Sequence, residues 1–185
     1  MKIAFIVFKD ITWLDIVGVY DPITRLKALN YLPALTWDFC SFTQEVTDSH
    51  GLSIGPLIVQ PDLTTYDAIF IPGGKGTRVL LQNHEFINWI HTAEGVPQKI
   101  SVCTGSLILG AAGFLKNNKA TTHFDEYETL RPYCKEVSHE RIVEDGDCIT
   151  AGAVSSSLDL GLYLCEKWAG KEAATFIRKK MEYNG

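Results

Sequence analysis

Paired cysteines, long apolar runs and clustered positive charge are all missing from this chain, and each absence closes a class of function. The five cysteines, Cys40, Cys103, Cys134, Cys148 and Cys165, are odd in number and widely spaced, with no C-x-x-C and no cysteine–histidine spacing of zinc-site type. That pattern supports neither a disulfide framework nor a structural metal. The apolar stretch at the start, Ile3 to Phe8, gives way at once to Lys9 and Asp10. It is too short for a signal core or a membrane span, so a cytoplasmic protein with no membrane partner is expected. Basic residues are scattered apart from "IRKK" at 177–180, and the formal net charge is −5. Without a positive footprint for a phosphate backbone, no nucleic-acid partner is expected. Internal repeats, low-complexity tracts and linkers are absent as well, so residues 1–185 are expected to form a single domain.

What is present suits one packed core: 46% of the residues are hydrophobic and 21% charged, far from the balance of a disordered chain. Short β-branched and aromatic runs, "KIAFIVF", "LTWDFCSF", "AIFIPGG" and "KISVC", alternate with longer segments of helical spacing, the pattern of an α/β sandwich with crossover helices. Three of the runs, "KIAFIVF", "AIFIPGG" and "KISVC", are nearly continuous in apolar residues, as central parallel strands covered on both faces would be. Helices are expected over Ile16 to Asn30, Glu85 to Ala93 and Leu107 to Leu115. The segment "EVSHERIVEDGDCITAG" reads as two short strands around Asp145-Gly146-Asp147, because Asp-Gly tolerates the positive φ of a tight hairpin. A helix then begins in "SSSLDLGLYLCEKWAG", where serine hydroxyls are expected to cap the first turn and Cys165 to face the core. A last helix, roughly Lys171 to Tyr183, closes the domain.

The chemistry gathers where these strands end. If "KISVC" is a central strand and "TGSLILGAAGFL" the helix after it, Cys103 sits on the connecting turn at the carboxyl edge of the sheet, where open α/β folds place ligands. This is the layout of a nucleophile elbow, and the positive end of the following helix favours thiolate, so Cys103 is expected to be partly ionised at neutral pH. A buried thiol at a strand end fits the bare sequence equally well. The turn Pro72-Gly73-Gly74 can present backbone amides at the same edge as an oxyanion-type hole, or serve as a plain turn. Asp15, in "TWLDIVG", can hydrogen-bond a thiol and move protons, or stabilise the start of its helix. His123, in "KATTHF", is either an accessory to the sulfur or a structural histidine bonded to backbone or to a neighbouring Asp125 or Glu126.

Taken in order, "IPGG", "SVCTGSLILGAAGFL", "ATTHF", "HERIVEDGDCITAG" and "LDLGLYLCEKWAG" resemble the ThiJ/PfpI superfamily, the glutamine-amidotransferase-like α/β group, across nearly the whole chain. With "LDIVG" near the start and threonine after the cysteine, the chain is most similar to the isonitrile (isocyanide) hydratase branch and to the sensor domains of AraC-type regulators. The resemblance implies a flavodoxin-like or Rossmann-like three-layer sandwich, a homodimer, and a small-molecule electrophile as substrate. It also implies Cys103 as nucleophile, Asp15 as the carboxylate bonded to it, Thr104 as a hydroxyl and amide donor beside the substrate, and Gly73 and Gly74 as amide donors. The reaction implied is hydration of R–N≡C to an N-substituted formamide, with no metal or organic cofactor.

The chain departs from that pattern at Gly18-Val19, where many relatives read Gly-Pro, and in the serine run of "AGAVSSSLD", near a pocket wall. PfpI-type peptidases carry histidine directly after the cysteine, where this chain has Thr104, so proteolysis is not expected. A glyoxalase or deglycase acting on α-oxoaldehydes would use glutamate at position 15, with His123 as helper. A ligand or redox sensor without turnover is the third reading, since an accessible thiolate oxidises readily whatever its purpose.

Overall fold

The computed structural model describes residues 1–185 and shows the α/β sandwich that the sequence pattern predicts, with a mostly parallel sheet in the three layers that the resemblance implies. In chain order the elements are β1 (Lys2–Val7), α1 (Trp13–Ala28), β2 (Thr36–Ser41), β3 (Ile58–Val59), β4 (Ala68–Ile71), α2 (Gly76–Leu80), α3 (His84–His91) and β5 (Gln98–Val102). They continue with α4 (Gly105–Ala111), β6 (Lys119–Ala120), α5 (Tyr127–Leu130), β7 (Glu136–Val137), β8 (Ile142–Asp145), β9 (Cys148–Ala151) and α6 (Ser156–Lys180). The main sheet runs β3-β2-β1-β4-β5-β9-β8, parallel throughout except for the β8–β9 hairpin. In that hairpin Asp145 pairs with Cys148 across a two-residue turn whose Gly146 has φ 62°.

The three nearly continuous apolar runs occupy the middle of the sheet. Burial on both faces explains why none of them alternates: Ile3 to Val7, Ala68 to Ile71 and Ile100 to Val102 are all inaccessible to solvent. Phe5, Phe39 and Phe70, side by side on β1, β2 and β4, form edge and tilted ring contacts 5.4–5.6 Å apart, and Tyr20 of α1 caps Phe5 at 5.7 Å. That cluster seats α1 on the sheet. Helix α1 in turn packs against α6, and Pro22 of α1 fits against Gly161 so closely that a Cβ there would lie 2.8 Å from its ring. The other helices, α2 to α5, pack among themselves and against β4 and β5. No helix is long and apolar enough to cross a membrane.

Several boundaries differ from the sequence reading, each for a local reason. The first helix starts at Trp13 rather than Ile16, which draws Asp15 into its first turn. The serines of 155–157 do not cap α6. Ser157 Oγ instead donates to the Leu14 carbonyl at 3.0 Å and stitches α6 to α1. Gly170 (φ 86°) breaks α6, so the separate last helix expected from Lys171 is a second rod that ends at Lys180. The "ATT" stretch contributes only Ala120 to β6, which pairs with β7 in a small second sheet. Strand β3, at two residues, and α2, at five, are too short to leave a periodic signal. Cys165 is buried in the core, as its helical spacing predicts.

Candidate active site

Because β1, β4, β5 and β9 run parallel, the segments that follow them meet at one edge of the sheet. Those segments carry Asp15, Pro72-Gly73-Gly74, Cys103 and Gly152 to Ser155. Cys103 has φ 55°, the left-handed region that residues with a Cβ avoid, and is the strained corner of an elbow. The surrounding main chain holds the strain in place. Its N–H is shared between the carbonyls of Ala151 (3.0 Å) and Gly152 (2.7 Å), while its carbonyl accepts from Thr122 Oγ1 (3.0 Å) and Ser106 Oγ (3.3 Å). Gly105 lets α4 start immediately, since a Cβ there would lie 2.1 Å from the Ile71 carbonyl oxygen.

Asp15 is fully buried, and it spends no oxygen on its own helix. Its Oδ2 accepts the Gly73 N–H at 2.8 Å. Its Oδ1 has no hydrogen-bond partner, and the carboxyl as a whole lies within reach of the Cys103 thiol. Loss of solvent pushes the carboxyl up to about 7, opposed by the Gly73 amide and the thiol. The Cys103 thiol is pushed up to about 12, by burial first and by the negative charge of Asp15 second, against the pull of the Thr104 amide and hydroxyl. This reverses the sequence expectation of a partly ionised resting cysteine. The helix terminus does favour thiolate, but desolvation and the adjacent carboxylate outweigh it. The pair therefore rests as a neutral thiol beside a carboxyl that titrates near neutrality.

The glycine amides also behave differently from the expectation that both would meet substrate. Gly73 N–H is taken by Asp15, and Gly74 N–H donates to Thr104 Oγ1 at 3.1 Å. Gly74, at φ 138°, adopts a backbone open to glycine, and Gly73 lies so near the elbow that a Cβ would sit 2.7 Å from the Thr104 nitrogen. Together they form a scaffold for the carboxylate and the threonine. Thr77, buried and not singled out by sequence, donates to the Gly74 carbonyl at 2.8 Å and lies 3.1 Å from Thr104 Oγ1. The Thr104 hydroxyl also lies 3.3 Å from that carbonyl, so its one hydrogen is divided between the Gly74 oxygen and the Cys103 sulfur.

The sulfur is not sealed. Cys103, 5% exposed, opens with Thr104, Gly74, Thr12, Val154 and His123 onto a cavity of about 180 Å³, whose charged wall is Lys75, Arg78 and Asp125. His123 thus shares the cavity, but its hydrogen bonding is local: Nδ1 accepts the Asp125 N–H at 3.2 Å, and the ring stacks on Phe124 at 4.4 Å. In the neutral ring this puts the hydrogen on Nε2. Val154 belongs to the β9–α6 loop, within the "AGAVSSSLD" stretch that the sequence placed near a pocket wall; Lys75 and Arg78 belong to the start of α2, where "KGTR" directly follows the glycines but carried no motif to mark it. No group of three His, Cys, Asp or Glu side chains is placed to hold a metal ion.

Comparison with known proteins agrees with this architecture. Residues 1–167 match the model of the DJ-1/PfpI family. An isonitrile hydratase of Pseudomonas putida is 31% identical over 99% of this chain and 78% of its own length. A ThiJ/PfpI family protein from Pseudomonas syringae superposes with a TM-score of 0.86 at 29% identity, covering 100% of this chain and 75% of that one. An AraC family transcriptional regulator from Pseudomonas putida superposes at 0.80 with 17% identity over 97% of this chain and 98% of that one, a likeness of fold. The chain, with its strained cysteine corner at the carboxyl edge of a parallel sheet, belongs to the DJ-1/PfpI family.

Proposed function

We propose that this protein is a cysteine-dependent lyase that hydrates isocyanides to N-substituted formamides, with Cys103 as nucleophile and Asp15 as the single acid and base. The observation that carries the reading is the pairing of a strained elbow cysteine with one fully buried carboxyl held by the Gly73 amide, a setting that pushes the carboxyl up to about 7 and keeps the thiol neutral at rest. A base poised near the working pH takes the thiol proton only as the sulfur commits to an electrophile. Isocyanide carbon suits this, because the same proton is then needed on that carbon. In the first step the S–C bond forms, Asp15 receives the thiol proton and returns it to carbon, giving R–N=CH–S–Cys. In the second, Asp15 takes a proton from water as oxygen adds to that carbon and passes it to nitrogen. The C–S bond then breaks, the hydroxyl proton passes through Asp15 to sulfur, and R–NH–CHO leaves with the thiol restored. Thr104, with its amide and hydroxyl against Sγ, stabilises the charge that develops there.

Purified protein incubated with cyclohexyl isocyanide should release the formamide, followed by NMR. Cys103→Ala should abolish product and Asp15→Asn should lower kcat at least about 100-fold; unchanged turnover in the alanine variant would discard the covalent route. Addition of Cys103 to an α-oxoaldehyde is the second reading, supported by His123 on the cavity wall. Lactate from methylglyoxal in place of formamide would favour it. If neither product forms while a ligand protects Cys103 from alkylation, a sensor role takes their place. The homodimer implied by the resemblance is part of the proposal, and sedimentation should give twice the 20.6 kDa chain mass.

A further inference from the structure

The wall of the Cys103 cavity carries a charge pattern that the reaction itself does not require. Lys75 has no carboxylate within 4.0 Å, whereas Arg78 is paired with Glu126 and braced on the Gly74 carbonyl at 3.3 Å. The acidic wall residue, Asp125, faces His123 Nδ1 at 3.7 Å and is largely in solvent. Asp15 is fully buried and adds no exposed charge to that wall. In a protein of net charge −5, which repels anions on average, the entrance to the nucleophile thus presents Lys75 without an ion-pair partner and Arg78 fixed beside it, with Asp125 as the one carboxylate on the wall. Apolar lining is scarce, with Val154 the aliphatic side chain on the wall, so a plain hydrocarbon substituent gains little from burial there.

We propose that Lys75, with Arg78 beside it, selects small electrophiles that carry a carboxylate, placing that group at the cavity wall while the reactive carbon reaches Cys103. The proposal rests on the reading of Cys103 as the nucleophile, and it narrows the substrate class to carboxylated isocyanides. A lysine ammonium serves this as an adaptable point charge, and the gain is screened by salt.

Two measurements separate this proposal from the hydratase reading. In the first, Cys103 is alkylated with iodoacetate and with iodoacetamide, which differ in charge and little in size, and modification is followed by peptide mass spectrometry. Lys75→Gln should lower the iodoacetate-to-iodoacetamide rate ratio at Cys103 about fivefold at low ionic strength, the effect of one ion-pair contact near a solvated surface. Lys75→Arg should keep the ratio, and about 0.5 M NaCl should lower it in the unaltered protein. The ratio at Cys134, away from the cavity, should not move. In the second, isocyanoacetate should be turned over with a higher kcat/KM than its ethyl ester, and Lys75→Gln should erase that preference. If no isocyanide reacts, the hydratase reading fails and the alkylation ratio still decides the role of Lys75. An alkylation ratio at Cys103 unchanged by Lys75→Gln overturns the proposal.

Discussion

At Asp15 the requirements of folding and of chemistry conflict. A carboxyl raised from 3.8 to about 7 by burial favours the folded state only while it is protonated. Its stabilising contribution is complete below pH about 4, is lost as pH rises through about 7, and above that the native protein carries the cost of a buried charge. Asp15→Asn imitates the protonated carboxyl at every pH. The variant should therefore be more stable than the parent by about 2–4 kcal/mol at pH 8, with the difference vanishing near pH 4, measured by urea denaturation at both values. Equal stability differences at the two pH values would mean that Asp15 is not held against its ionisation. The same residue sets the direction of the activity profile: kcat/KM should rise with pH and level off above about 7, because the first step needs the carboxylate as base. A stability gained by removing a group that catalysis needs is the expected trade at such a site.

Helix α1 carries Asp15 to the site, so what fixes α1 fixes the chemistry. Its contact with α6 has no room to spare at Gly18, where a Cβ would lie 2.1 Å from Ser157 Oγ and 2.7 Å from Ser157 Cβ. Gly18→Ala must push the two helices apart, at a cost of about 1–3 kcal/mol typical of overpacking. Because the shift moves Asp15 relative to Cys103, kcat should fall more than the loss of stability explains, a comparison made at a temperature where the variant is fully folded. A variant destabilised but fully active would show that the α1–α6 contact is structural only. The elements themselves were largely legible in the sequence. Continuous apolar runs marked β1, β4 and β5, Asp-Gly marked the β8–β9 turn, and the helical spacing around Cys165 marked α6. Two-residue β3 and five-residue α2 left no period to read, and the serines before α6 looked like caps because sequence does not show that Leu14 offers a nearby carbonyl.

Across the whole molecule the site is a long-range assembly. Asp15 meets Gly73 across 58 residues, Thr104 meets Gly74 across 30, and Cys103 is held by main chain from β9 and by Thr122. The sequence nominated Cys103, Asp15, Thr104, Gly73, Gly74 and His123, and all six lie at one edge of the sheet. What it left hidden was how they pair. Two glycine amides expected for substrate are occupied by Asp15 and Thr104, and the thiol expected to be partly ionised is pushed up by burial and by Asp15, because desolvation depends on everything packed around the site. A thiol that keeps its proton beside a carboxyl that loses its own near pH 7 is the claim on which the mechanism depends. It is tested most directly by pH-difference infrared spectroscopy on the unaltered protein and on Asp15→Asn, with the carboxyl C=O band and the thiol S–H band followed together. A carboxyl band that disappears with a midpoint near pH 7 and is absent from the variant, with the S–H band persisting past pH 9, is the result expected. An S–H band already lost at pH 7, beside a carboxyl ionised near pH 4, would contradict it.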